Sequence, residues 1–262
     1  MKKIMSFVMT IVCLLAFAGC GGGAKKTDAP AQKAAAEKVL RVGTDADYPP
    51  FEYYQESSKT FIGFDIGLMQ GLATEMGYSK VEFVDLEFNN LLPSLKDGQV
   101  DAVISCMNIT DERRKMADFT EPYLKSSNVV IGAAGTKAGS ADVMKDKRIA
   151  AEIGSIHEKQ AKKYSGTVTE CGGAEEALKL VMADKADFAI MDNFTARFYM
   201  NNFYNGKLSI VAALPGEIDN DIAIAVTKGN KELLDKLNAA LGKYRAAAAY
   251  YQLQTTYFGK LK

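Results

Sequence analysis

From Val39 onward, short runs of β-branched residues alternate with longer stretches whose apolar positions recur every three or four residues. That alternation predicts an α/β protein with mostly parallel sheets. Strands are expected at 39–43, 81–84, 102–106, 129–131, 148–151, 167–170, 188–191, 208–211 and 222–226. Helices are expected at 65–76, 156–164, 174–183, 193–201 and from 231 to about 257. In the first of these, Ile66, Met69, Leu72, Ala73 and Met76 share one face, Asp65 is placed to cap the start and Gly77 to end the helix. Residues 95–104 and 181–190 repeat one design: a helix end, a polar turn, an Asp and a buried strand. Two copies of one βαβ plan point to two similar lobes, and nine strands divide naturally into two sheets of about five.

Ahead of this region the pattern changes. Lys2 and Lys3 precede an apolar run from Ile4 to Ala18, interrupted only by Ser6 and Thr10 and ending in Phe17-Ala18-Gly19-Cys20. The run falls short of the roughly 20 residues that span a bilayer, so it reads as a secretory signal. Small residues directly before a cysteine resemble a lipobox, in which cleavage leaves Cys20 as a lipidated, palmitate-bearing first residue. Gly21 to Gly23 and the Ala/Lys/Gln/Pro stretch to about Glu37 have no hydrophobic periodicity and read as a flexible tether.

Composition narrows the function classes. The 262 residues are 48% hydrophobic and carry 32 Lys+Arg against 32 Asp+Glu, which excludes a disordered chain and argues against a nucleic-acid binder. Loss of residues 1–19 removes Lys2 and Lys3, leaving 243 residues with 30 basic against 32 acidic side chains. The single histidine, His157, excludes a His-rich zinc site, and no other cofactor or metal is expected. Beside Glu158 in the first turn of a helix, His157 is expected at the surface or the cleft rim. Cys13 leaves with the signal and Cys20 takes lipid, so Cys106 and Cys171 remain in the folded part, where they are expected as free buried thiols. The run Ala246-Ala247-Ala248-Ala249 is expected to make the C-terminal helix continuous.

Two segments carry a specific resemblance. Leu40-Arg41-Val42-Gly43-Thr44-Asp45-Ala46-Asp47-Tyr48-Pro49-Pro50-Phe51-Glu52 followed by Gly63-Phe64-Asp65-Ile66 is similar to the opening of family 3 solute-binding proteins, the receptors of polar amino-acid ABC importers. The stretch from Leu91-Leu92-Pro93-Ser94-Leu95 through Asp101 to Thr110-Asp111-Glu112-Arg113 and on to Asp118-Phe119-Thr120-Glu121-Pro122-Tyr123 resembles the same family, as does the closing Tyr257-Phe258-Gly259. The resemblance implies the two-lobed periplasmic-binding-protein type II fold with a ligand cleft between lobes. It places the tether at 20–37, a discontinuous first lobe at 38–127 and 219–262, a second lobe at 128–218, and a hinge at the crossings near 126–129 and 217–222.

A receptor for amino acids needs a fixed cation, amide donors and a fixed anion around a small cavity. By resemblance Arg113 is the carboxylate-binding arginine, and its planar guanidinium suits that role. Thr110 is placed to cap the short helix that carries it. The resemblance gives Cys106 a backbone carbonyl for the α-ammonium and draws Met107 and Asn108 into the same segment; Asn108 replaces the usual Ser or Thr, so only its backbone role carries over. From the second lobe, Ser155 and Ile156 open a helix whose N–H groups form an anion site after Gly154. Asp192 matches the acidic ligand of the α-ammonium. Asp45, Tyr48, Glu52 and Phe88 match positions around the ligand side chain, two as stacking faces and two as carboxylates for a cationic group. The implied function is a lipid-tethered, monomeric receptor that closes on an amino acid, polar or cationic by preference, and passes it to a membrane permease. No catalytic residue is assigned. The alternative is an exported enzyme of the cyclohexadienyl (prephenate or arogenate) dehydratase kind on the same scaffold, with Asp45, Glu52 and Asp192 as its acid–base groups.

Overall fold

A computed structural model describes residues 37–214 and 220–259, and residues 37–262 make one compact unit. The expected signal, the expected lipidation site at Cys20 and the expected tether lie outside the described residues, apart from Glu37. Among the described residues no helix is long and apolar enough to cross a membrane.

The apolar runs form two five-stranded sheets. In the first, Val39–Thr44 lies between Lys80–Asp85 and Ala102–Val103, parallel to both; Ala225–Thr227 then pairs antiparallel with Ala102–Val103 and with Ala117–Phe119. In the second, Ile149–Glu152 lies parallel to Val168–Cys171 and Phe188–Asp192, and Asn128–Ala133 pairs antiparallel with Phe188–Asp192 and Leu208–Leu214. Four strands of each sheet thus run in one direction, and a single strand, Ala225–Thr227 in the first and Asn128–Ala133 in the second, runs against them.

The repeated sequence design has a repeated structure. Arg41 Nε and Nη2 grip Asp101, with Nη1 on the Gly98 carbonyl, and Arg148 grips Asp187 in the same way, with Nη1 on the Asp184 carbonyl. Each fork joins the first residues of one parallel strand to the turn before its neighbour, at the end of the sheet away from Asp45 and Asp192.

Between the sheets, Leu124–Lys125 pairs antiparallel with Asp221–Ile222, and Ser126 donates to the Asn220 carbonyl. This ribbon lies at the expected crossings; residues 217–219 of the second crossing are outside the described residues.

Helix boundaries follow the periodicity with instructive exceptions. The first helix, Phe64–Glu75, ends at Gly77 as expected, with φ +75°. Asp65 does not cap it. The Pro50 and Phe51 carbonyls accept from the N–H groups of Phe64 and Asp65, so the Asp65 side chain is free to turn inward. The expected continuous C-terminal helix is two helices, Lys231–Ala246 and Ala248–Phe258, broken at Ala247 with ψ 148°. Four alanines favour helix by a few tenths of a kcal/mol each, but the break lets Tyr250 bury its ring and donate to the Tyr123 carbonyl at 2.8 Å. Gly67 and Gly71 make room on the first helix: a Cβ there would stand 2.5 Å from Leu253 and 2.4 Å from the Tyr244 ring.

Candidate functional site

Strand ends of both sheets meet around a small cleft lined by Asp45, Tyr48, Glu52, Phe88, Cys106 and Asn108 with Arg113, Glu152, Ser155, Ile156, His157 and Ser105. The carboxyl ends of parallel strands, where loops diverge, are where open α/β sheets leave such room.

The floor comes from the first sheet. Asp45 follows Val39–Thr44, and its N–H donates to Ser105 Oγ at 3.0 Å, while Ser105 donates to Glu52 Oε1 at 3.1 Å. Asp65 lies beneath, accepting at Oδ2 from the Cys106 N–H (2.8 Å) and the Tyr123 hydroxyl (2.6 Å). Its other oxygen faces the Glu52 carboxyl. Burial, followed by the negative charge of Asp65, holds the Glu52 carboxyl well above the usual range, while burial raises Asp65 to about 6. Burial and Asp65 thus favour the neutral form of Glu52, which also accepts from Ser105.

Arg113 is 8% exposed. Thr110 caps its short helix, Asp111–Met116, accepting from the Arg113 N–H at 3.2 Å. The guanidinium donates to the Asn108 carbonyl at 2.8 Å and, across the cleft, to the Gly154 carbonyl at 3.3 Å, with its carbon 5.0 Å from the Phe88 ring centroid. Burial lowers it to about 10, so it stays charged at neutral pH. It forms no ion pair within the described residues, and its cavity side is open to an anion.

The second sheet supplies the opposite wall. Ser155 accepts from the Glu158 N–H and donates to the Glu152 carbonyl at 2.6 Å, and Glu158 reaches back to the Gly154 N–H. The expected hydroxyl contribution of Ser155 is thus spent on the cap. The N–H groups of Ile156 and His157 open the helix without intrahelical acceptors and are the donors left for a ligand. His157 is not at the surface: it is 6% exposed, stacks on Tyr48 at 6.5 Å and meets Asn128 Oδ1 at 3.3 Å. Burial, helped by the charge of Arg113, lowers it to about 3, so it is a neutral wall. Tyr48 therefore has one face engaged by His157, and Phe88 one engaged by Arg113.

Two expected residues stand off the cavity. Met107 packs with Leu91, Leu92 and Val103 in the core of the first sheet. Asp192, 3% exposed, caps the helix Asn193–Asn202 by accepting from the Phe194 N–H at 2.7 Å, accepts from Ser126 and donates its own N–H to the Tyr48 hydroxyl. It braces Tyr48 across the cleft. Cys106 and Cys171 are free and buried as expected. Glu152, Ser105 and Asp65 were missed; Glu152 is one residue past the expected strand end.

Residues 40–260 match the family of bacterial extracellular solute-binding proteins, family 3. The chain belongs to that family. Among relatives of this family-3 protein, the arginine-binding extracellular protein ArtP of Bacillus subtilis is 29% identical over 98% of each chain. A probable histidine-binding protein of Neisseria gonorrhoeae is 31% identical over 99% of this chain and 97% of its own. An ancestral arginine-binding protein bound to arginine superposes with a TM-score of 0.78 at 33% identity, over 84% of this chain and 98% of that one. The ancestral amino-acid-binding protein AncCDT-1, a precursor of cyclohexadienyl dehydratase, superposes with a TM-score of 0.74 at 30% identity, over 84% and 95%. The family-3 fold is two-lobed, and the contacts from Arg113 to Gly154 and from Asp192 to Tyr48 join the two lobes in a closed arrangement.

Gly154 tests that closure. Its φ is +74°, and a Cβ would stand 3.0 Å from Asn89 Cβ in the other lobe. Gly154→Ala is expected to cost about 1 kcal/mol in backbone strain in any state and a further loss of ligand affinity from the closed-state contact, read as a lower melting temperature and a separate rise in Kd.

Proposed function

We propose that this protein is the substrate-binding component of an amino-acid ABC importer and that its ligand is an amino acid with a cationic side chain, arginine first. The observation that carries the proposal is Arg113: a buried guanidinium that forms no ion pair among the described residues, in a cleft that Asp45 also lines. An α-carboxylate completes the first, and a cationic side chain the second. The named ligands of the relatives support the same class. Capture proceeds by closure of a lobe of 38–127 and 219–262 on a lobe of 128–218 about the ribbon, with the ligand shifting the population toward the closed form. The protein acts as a monomer, is held at the outer face of the cell membrane by lipid on Cys20, and hands its ligand to a permease. Cys20→Ser should release it from the membrane fraction and abolish palmitate labelling.

A thermal-shift panel over the twenty amino acids and cystine tests the ligand class; arginine is expected to raise the melting temperature most, and no shift with any of them overturns the reading. Incubation with prephenate or arogenate is expected to return both unchanged. The binding reading is favoured over the dehydratase because Glu52, one of its presumed acid–base groups, is committed to Asp65 and Ser105.

Affinity should depend on pH. Burial, and then the charge of Asp47, raises Asp45 to about 8 in the empty closed cleft. A carboxyl raised in this way stabilises the empty closed protein at low pH, and that contribution is lost as pH rises toward 8. A cationic ligand needs the ionised form, so to the extent that the unliganded protein is closed its binding releases protons and its affinity rises between pH 6 and 8, by up to about tenfold per pH unit for each proton released. Calorimetry in buffers of different ionisation enthalpy measures that release; none at pH 7 would contradict the assignment of Asp45.

A further inference from the structure

Asp45 and Asp47 from the first lobe and Glu152 from the second each place a carboxylate oxygen so that all three lie within 4.8 Å of one another. Asp45 and Glu152 are 7% and 5% exposed, and both line the cavity. Asp45 Oδ2 is buried without a hydrogen-bond partner. The buried cation Arg113 donates to two carbonyls, and its charge offsets part of the burden on Glu152. We propose that Glu152 is the residue by which the second lobe reads ligand charge: it completes, on closure only, a carboxylate trio that admits a cationic side chain and resists closing on a neutral one. The inference rests on the amino-acid-receptor reading above.

The physical argument is one of assembly. In an open protein Glu152 is carried away from Asp45 and Asp47, and each carboxylate is hydrated. Closure strips that water and brings like charges together, which is unfavourable unless a positive group or protons come with them. Burial and the charges of Asp45 and Asp47 raise Glu152 well above the usual carboxylate range in the empty closed cleft, in keeping with that repulsion. A planar guanidinium, with five N–H donors, satisfies oxygens on both lobes at once and so couples its charge to closure. A neutral amide of similar length brings no charge, and the trio then discriminates by repulsion as much as by attraction.

The test is calorimetry on the purified full-length protein with L-arginine and L-glutamine, for wild type, Glu152→Gln and Asp47→Asn. Wild type is expected to prefer arginine strongly. Glu152→Gln is expected to cut the arginine-to-glutamine affinity ratio at least 30-fold, with glutamine binding held or improved, and Asp47→Asn severalfold. Asp47 is exposed, so its variant keeps the fold and reports even where Glu152→Gln does not. A ratio unchanged in the folded variants overturns the inference and leaves the receptor reading standing. So does a trio occupied by Ca²⁺ or Mg²⁺ in direct titration with arginine affinity independent of Glu152. Wild type binding neither amino acid nor any other in the panel overturns the receptor reading, and the inference with it.

Discussion

Arg113→Ala is expected to weaken amino-acid binding by about 3 to 5 kcal/mol, roughly two to three and a half orders of magnitude in Kd. The guanidinium is 8% exposed and charged, and it links the Asn108 carbonyl of one lobe to the Gly154 carbonyl of the other. Its removal leaves the ligand carboxylate desolvated without a partner and takes away one of the bonds that hold the closed form. Arg113→Lys keeps the charge but not the paired geometry and should recover only part of the loss. Thr110→Ala, which removes only the cap, should cost about 1 kcal/mol of stability and little affinity. Wild-type affinity in the alanine variant would show that the carboxylate is bound elsewhere.

Gly63→Ala is the largest expected effect on stability. Gly63 has φ +136°, and a Cβ there would lie 2.0 Å from the Phe51 carbonyl oxygen and 2.9 Å from the Glu52 Cα. Both are backbone atoms, held by the bond from the Asp65 N–H to that same carbonyl at 2.8 Å, so nothing flexible can give way. The strained φ contributes about 1 to 3 kcal/mol, and displacing the Phe51–Glu52 turn adds the loss of the Glu52, Ser105 and Asp65 contacts. A total of about 4 kcal/mol corresponds to a fall in melting temperature of about 8 to 16 °C for a domain of this size. Thermal unfolding of the ligand-free protein measures it; a fall of less than 2 °C would mean that the turn relaxes freely.

Much of the fold was legible because each buried strand is an apolar run and each helix has one apolar face. The short strand Ala117–Phe119 was not, since it pairs with Ala225–Thr227 from the far end of the chain and nothing local marks it. Nor was the hairpin of Glu52–Gln55 with Thr60–Ile62, whose strands are short and, Glu52 apart, only half-buried or exposed. Arg113, Asp45, Tyr48 and Phe88 were readable from the motif and do line the cavity. What the motif did not convey was engagement: whether a carboxylate such as Glu52 or Asp192, or a hydroxyl such as Ser155, is free for a ligand depends on neighbours from distant segments. Glu152 and His157 escaped for the same reason, as their burial exists only where the lobes meet.

The two Arg–Asp forks have a mechanical consequence. Arg41 and Arg148 bolt their sheets at the ends remote from the ligand, each through two side-chain contacts to one Asp and a further bond to a turn carbonyl. If the ribbon of Leu124–Lys125 and Asp221–Ile222 is the hinge proposed above, each sheet would move as a stiffened arm, and a small angular displacement at that pivot would be delivered to the cleft, where Gly154, Asn89 and Arg113 meet. Loosening either bolt, by Asp101→Asn or Asp187→Asn, would let a sheet flex under load, and part of the work of ligand capture would then bend the arm without turning the joint.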